Sequence, residues 1–165
     1  MIFVPCGKAR ISFFAPQPSD SDEEDQQLVC HPDALPVESE SVDLVVLVHC
    51  LELVSDPHRL LREAERVLIP EGRLVVLGFN PYSLWALHKP LATRYFPPAE
   101  NPWLSLGRLK DWCRVLGMTP DGGSAALYRP ILSKPRWWDR LAWLEAAGNR
   151  WWPGLGAIYL LSAVI

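Results

Sequence analysis

Residues 42–48, Val-Asp-Leu-Val-Val-Leu-Val, run almost without polar interruption and are rich in β-branched side chains. That pattern predicts a strand buried on both faces, as in a parallel sheet covered by helices on each side. From residue 57 the spacing turns helical. Leu60, Leu61, Ala64, Val67 and Leu68 fall on one face of a helix. Asp56 stands at the N-cap, and Pro57 stands at the first helical position, where its missing N–H costs no bond. Arg59 and Glu63 add an i,i+4 pair. "IPEG" (residues 69–72) breaks this helix, with Gly72 free to take positive φ, and residues 74–79 form a second buried strand. Strand, helix, strand is a βαβ unit, whose crossover is right-handed in nearly all proteins.

The flanks are more broken. "RISFFA" (residues 10–15) predicts a short strand stopped by Pro16 and Pro18, and "QLVC" (residues 27–30) predicts another after an acidic loop. Residues 82–96 predict a helix ending before Pro97. Residues 105–116 predict a second helix, closed by Gly117. Residues 118–128 form a weaker strand candidate interrupted by "DGG", residues 136–152 can hold a helix, and residues 155–165 predict a strong final strand. The whole is expected to be one domain over 1–165. Residues 1–27 form an irregular N-terminal segment, 28–81 the βαβ core, and 82–165 the C-terminal helices and final strands.

Composition sharpens the picture in three places. The net charge of −3 divides unevenly: residues 1–65 hold 13 acidic and 4 basic side chains, the remainder 6 and 12. The acidic run "DSDEED" is read as a solvated loop, and no basic stripe points to nucleic acid. Cys6, Cys30, Cys50 and Cys113 are scattered, which argues for a reducing compartment; with no apolar run long enough to span a bilayer and no secretory leader pattern, a cytoplasmic location is expected. Five tryptophans, Trp137, Trp138, Trp143, Trp151 and Trp152, crowd the last third. They are read first as packing of a C-terminal cap over the sheet, and second as an aromatic lid or lipid-facing surface.

Ligands of open α/β sheets sit beyond the carboxyl ends of the strands, near the switch point. That rule selects Val48, His49 and Cys50 after one strand, and Gly78, Phe79 and Asn80 after the next. His49 is the sharpest candidate; its alternative role is to cap a buried strand through one hydrogen bond. Cys30-His31 and His49-Cys50 do not read as a metal site, because neighbours on a strand point to opposite faces and no other Cys/His spacing supports one. Asn80 in "NPY" is read as a turn residue.

The text "ALPVESESVDLVVLVHCLELVSDPHRLLREAERVLIPEGRLVVLGFNP" resembles the class I S-adenosylmethionine-dependent methyltransferases, of the type 11 small-molecule kind. The most specific stretch is "LLREAERVLIPEGRLVV", and "GFNPYS" is similar to a bacterial subfamily sharing G-F-N-P-x-S. The resemblance implies an α/β, Rossmann-like methyltransferase sheet of order 3-2-1-4-5-7-6 with a C-terminal antiparallel strand, and S-adenosylmethionine as cofactor. It also exposes departures. No glycine-rich turn precedes the matching text, so the fold is expected to be truncated at the N-terminus, with the first strand and first helix missing, and "RISFFA" matches the family's second strand. The acidic residue that closes that strand in the family is absent, Gln17 being the nearest polar candidate. The adenine-contacting Asp aligns with His31, and the P-G-G turn becomes Pro70-Glu71-Gly72.

The cofactor-binding residues implied are therefore His31, Pro32, Val48, His49 and Cys50; no catalytic residue is assigned. Two functions stay open. One is methyl transfer to an unknown small molecule, by a chain read as a truncated form of a longer one. The other is a non-catalytic, degenerate methyltransferase fold that serves as an interaction module, dimerising through a sheet edge left exposed by the missing strand. Without that strand, the sheet is expected either to rearrange or to hold its N-terminal segment poorly.

Overall fold

The computed structural model describes residues 2–4, 10–13, 27–29, 34–88, 102–128 and 143–165. Its strands are β1 (Ile2–Val4), β2 (Arg10–Phe13), β3 (Gln27–Val29), β4 (Val42–Val48), β5 (Leu68–Phe79), β6 (Thr119–Ala126) and β7 (Ile158–Val164). Its helices are α1 (Pro57–Val67), α2 (Leu84–His88), α3 (Leu106–Val115) and α4 (Trp143–Trp151), with a 3-10 turn over Pro153–Leu155. The seven strands form one sheet of order β3-β2-β1-β4-β5-β7-β6, the order implied by the family resemblance.

β4 and β5 pair in parallel, Val45 opposite Leu74 and Leu47 opposite Val76, while β7 runs antiparallel to β5 and β6 antiparallel to β7. Val45, Leu47, Leu74, Val76, Tyr159, Leu161 and Ala163 all point into one core. Against them α1 buries Leu60, Leu61, Ala64 and Val67, and α3 buries Leu109 and Cys113. The two helices lie side by side, the rings of His58 and Trp112 meeting at 3.5 Å. The alternate positions of the central strands, Leu44, Val46, Val48, Val75 and Leu77, are only half-buried. The prediction of two fully buried faces therefore holds for one face among the described residues.

The local signals around these elements work as read. Asp56 accepts the Arg59 N–H at 3.1 Å, and Ser105 accepts the Arg108 N–H at 3.4 Å, capping α1 and α3. Gly117 closes α3 with φ +79°: its N–H reaches the Arg114 carbonyl and the Met118 N–H reaches that of Cys113, the two bonds of a Schellman motif. At "IPEG" the outcome differs. β5 begins at Leu68, paired with Val42, and the register then slips until Arg73 meets Leu44. The positive φ falls on Glu71, at +66°, where the family turn carries glycine. Gly72 is needed for a different reason: a Cβ there would sit 2.7 Å from the Ile69 carbonyl oxygen.

The N-terminal end is rearranged. The place beside β4 is held by the three residues of β1, pairing in parallel with Val45, Val46 and Leu47. Only residues 5–9 separate β1 from β2. A parallel return needs a crossover of a dozen residues or more, so β2 must run antiparallel, and it does, Ile2 opposite Phe13. The described part of "RISFFA", residues 10–13, thus occupies the second strand's place, in the reverse direction. The helix predicted over residues 82–96 is described only as α2, and the rest of it lies outside the described residues.

The three described tryptophans of the C-terminal cluster do not supply the packing expected of it. Trp143, Trp151 and Trp152 are exposed, at 61%, 70% and 54%, and Trp137 and Trp138 lie outside the described residues. α4 instead docks through Gly148, set directly against the ring of Tyr128.

The stretch before β4 is clamped to α1 by one ion pair. Arg66 donates to both oxygens of Glu63, and also to the carbonyls of Val37 at 3.0 Å and Leu35 at 3.1 Å; Glu63 in turn accepts the Leu35 N–H at 3.2 Å. Glu63 thus bonds Arg66 rather than the expected Arg59. The Arg66 guanidinium holds the Glu63 carboxyl below its ordinary value of 4.5. A depressed carboxyl stabilises the fold fully above 4.5 and loses that contribution as pH falls through the lowered value. Arg66→Ala should therefore cost about 1–3 kcal/mol in urea unfolding at neutral pH, and the gap to the parent chain should narrow below pH 4.5.

Candidate functional site

β4 leaves the ladder at His49, whose N–H makes the last rung to the Leu77 carbonyl at 2.9 Å. The chain then turns, the N–H groups of Leu53 and Val54 both reaching the Cys50 carbonyl at 3.1 Å. To make that turn, His49 adopts φ +52°, a left-handed conformation that costs a non-glycine residue roughly 1–3 kcal/mol. The turn folds Glu52 back under β5, leaving its side chain 4% exposed. Glu52 Oε1 accepts the Phe79 N–H at 2.7 Å. A side chain thereby supplies the rung that β4 no longer provides.

Around this bond the rings stack in a row. His49 lies on Phe79 at 4.1 Å between centroids, and Phe79 lies on Trp103 at 4.9 Å. Opposite Gly78 on β7 stands Tyr159, fully buried. A Cβ on Gly78 would fall 2.6 Å from the Tyr159 hydroxyl and 3.1 Å from Glu52 Oε1, so the missing side chain is the space those two groups use. Burial pushes the Tyr159 hydroxyl well above its ordinary value, and the Glu52 charge pushes it the same way.

Three buried polar atoms here have no hydrogen-bond partner among the described residues: His49 Nδ1, Glu52 Oε2 and the Tyr159 hydroxyl. Each such group costs about 1–3 kcal/mol, and natural folds tolerate few of them. Alongside lies a cavity of about 410 Å³, bounded by Asn80, Tyr82, Ser105, Leu106, Ala125 and Tyr159 among others. Among the described residues, no charged side chain lines it.

The sequence-selected residues separate clearly. His49 and Cys50 lie together at this edge, Val48 ends the strand leading to it, and His31 and Pro32 lie outside the described residues. Cys50 is buried, its thiol 3.4 Å from the Val48 carbonyl. Asn80 is a turn residue, as read. Its amide donates to the Gly154 and Gly156 carbonyls at 2.7 and 2.9 Å, and its oxygen accepts the Tyr82 N–H. Glu52 and Tyr159 were missed. A lone acid inside the apolar run "CLELV" was a signal for Glu52, since charges are rarely buried without a partner. Nothing local marks Tyr159, because only strand register brings it to Gly78. Among the described residues no group of three or more His, Cys, Asp or Glu could hold a metal, and no helix is long and apolar enough to cross a membrane.

Residues 15–76 match the family described as a methyltransferase domain. A methyltransferase from Thermotoga maritima, a possible histamine N-methyltransferase, superposes with TM-score 0.59 at 20% identity, over 83% of this chain and 62% of that one. Geranyl diphosphate C-methyltransferase from Streptomyces coelicolor, solved with S-adenosyl-L-homocysteine, gives 0.52 at 20% identity, over 83% and 51%. The chain has a class I methyltransferase fold.

Two curated relatives match over shorter stretches. YafS of Escherichia coli K12, itself uncharacterised, is 44% identical over 91 residues, 54% of this chain and 38% of that protein. Demethylmenaquinone methyltransferase of Chlamydia pneumoniae is 33% identical over 81 residues, 47% of this chain and 33% of that one. The chain thus matches well under half the length of either.

Within a methyltransferase fold, the carboxyl edge of β4 and β5 fits a polar ligand, since its orphaned atoms want partners. The β1–β2 side differs. β2 is reversed, so its carboxyl end, Phe13, pairs with Ile2 at the edge of the sheet opposite His49.

Gly78→Ala should lower stability by about 1–3 kcal/mol in urea unfolding, through overpacking against Tyr159. Adding Tyr159→Phe should restore part of the loss: it removes the 2.6 Å contact and leaves the 2.7 Å contact to Tyr159 Cζ.

Proposed function

We propose that this chain binds S-adenosylmethionine at the carboxyl edge of β4 and transfers its methyl group to a small molecule held in the adjoining cavity. The observation that carries this reading is the set of buried polar atoms without partners at the switch-point edge of a methyltransferase sheet. When bound, the cofactor supplies a methyl group already activated on a sulfonium sulfur. Val48, His49 and Cys50 would hold it, with His31 and Pro32 added by resemblance alone. With the donor activated beforehand, the protein's part is alignment, and the stacked row His49–Phe79–Trp103 at this edge is suited to that. The uncharged lining of the cavity favours a neutral acceptor. We take the cytoplasm as the site of action.

The reversed β2 favours a second reading, in which the fold is kept without catalysis as an interaction module that dimerises through a sheet edge. In the described sheet β1 covers β4, so the edges on offer are β3 and β6.

Calorimetric titration with S-adenosylhomocysteine separates the two. The first reading expects one site of micromolar affinity on a folded 165-residue chain. A folded chain that takes up no S-adenosylhomocysteine, and that sediments as a dimer, would replace it with the second.

A further inference from the structure

Three groups at this edge have unmet hydrogen-bonding capacity, and two of them face each other. His49 Nδ1 is sealed from solvent and stands 3.9 Å from Glu52 Oε1. That is beyond a hydrogen bond but inside the range of an ion pair. Glu52 is fixed by the Phe79 N–H and keeps its second oxygen free of any partner. Nδ1 is shut in while the side chain as a whole stays 17% exposed, so the ligand-facing role is assigned to Nε2.

We propose that His49 is the proton acceptor of this site: Nε2 takes the proton that the methyl acceptor must release, and the Glu52 carboxylate stabilises the imidazolium so formed. The assignment rests on the methyltransferase reading of the edge. It deepens that reading by naming the acceptor class, a neutral molecule whose reacting atom is a hydroxyl oxygen or an amine nitrogen bearing hydrogen. The acceptor's O–H or N–H bond breaks as the Nε2–H bond forms, and the electron pair left behind makes the bond to the methyl carbon. The pair of the broken carbon–sulfur bond returns to sulfur.

Two further features point the same way. A strained backbone holding a titratable ring at the ligand edge is the pattern expected of a site rather than of a strand cap. Among the described residues, Nδ1 bonds none of the backbone groups that a strand cap would hold. Among the described residues, the other titratable groups here are Cys50 of the same turn, Tyr159 of β7 and Cys113 of α3. Burial keeps Tyr159 and Cys113 protonated, Cys113 with its thiol raised to about 11. Glu52 is therefore the carboxylate positioned to answer a charge on His49.

The test is long-range proton–nitrogen correlation on the chain labelled with ¹⁵N-histidine, in alkaline buffer where free imidazole is neutral. The proposal expects His49 as the Nδ1–H tautomer, with Glu52→Gln shifting population towards Nε2–H. Should the variant fail to fold, the tautomer of the parent chain decides alone. Titrating the same sample with S-adenosylhomocysteine separates the two failures. Binding together with an Nε2–H tautomer overturns the assignment and leaves the methyltransferase reading. An Nδ1–H tautomer without binding overturns the assignment by removing the reading beneath it.

Discussion

Phe79 sits where two strands part. On one side it still pairs with Ile158 of β7, while on the other β4 has already turned away at His49. Its N–H would be buried and unmet, and the Glu52 carboxyl meets it at 2.7 Å. The position of the site follows from that bond. It fixes the turn after β4 under the end of β5, and it obliges residue 78 to be glycine so that Tyr159 and Glu52 can share the space. It also sets the ring of His49 on that of Phe79. A charged side chain finishing a backbone ladder is costly to bury, and its second oxygen remains without a partner. Strain at His49 and three of the unmet polar atoms of the described residues therefore meet at one edge of the sheet, above a core packed mainly by apolar side chains of α1 and α3.

Much of the fold was legible because its signals are local. The run of residues 42–48, the cap at Asp56 and the Schellman glycine at position 117 each act within a few residues. Register and direction were not legible, because they depend on distant partners. Three residues at the N-terminus carry too little pattern to announce β1, and the reversal of β2 follows from the length of the link before it rather than from the composition of "RISF". The turn before Arg73 was misread for a related reason. Composition favours Gly72 for positive φ, yet the close approach of the Ile69 carbonyl claims Gly72 and leaves Glu71 to take the strained angle.

The site was half legible. Strand ends in an open sheet pointed to His49 and Cys50, and the structure brings both to the edge. Glu52 lay three residues beyond His49 and was not singled out. Tyr159 lies 110 residues from His49 in sequence and reaches the site only through the pairing of β5 with β7. The sheet has the family's strand order, but the reversed β2 means that the two sides of its upper edge are not equally prepared for a ligand.

The central claim is that a ligand seats against the end of β4. Amide proton–nitrogen spectra recorded during addition of S-adenosylhomocysteine test it residue by residue. The account expects the largest shifts at His49, Cys50, Glu52 and Phe79, with Ser39 and Glu40 at the opposite end of β4 unmoved. Shifts confined to that opposite end, or a folded spectrum that does not change at all, would contradict it.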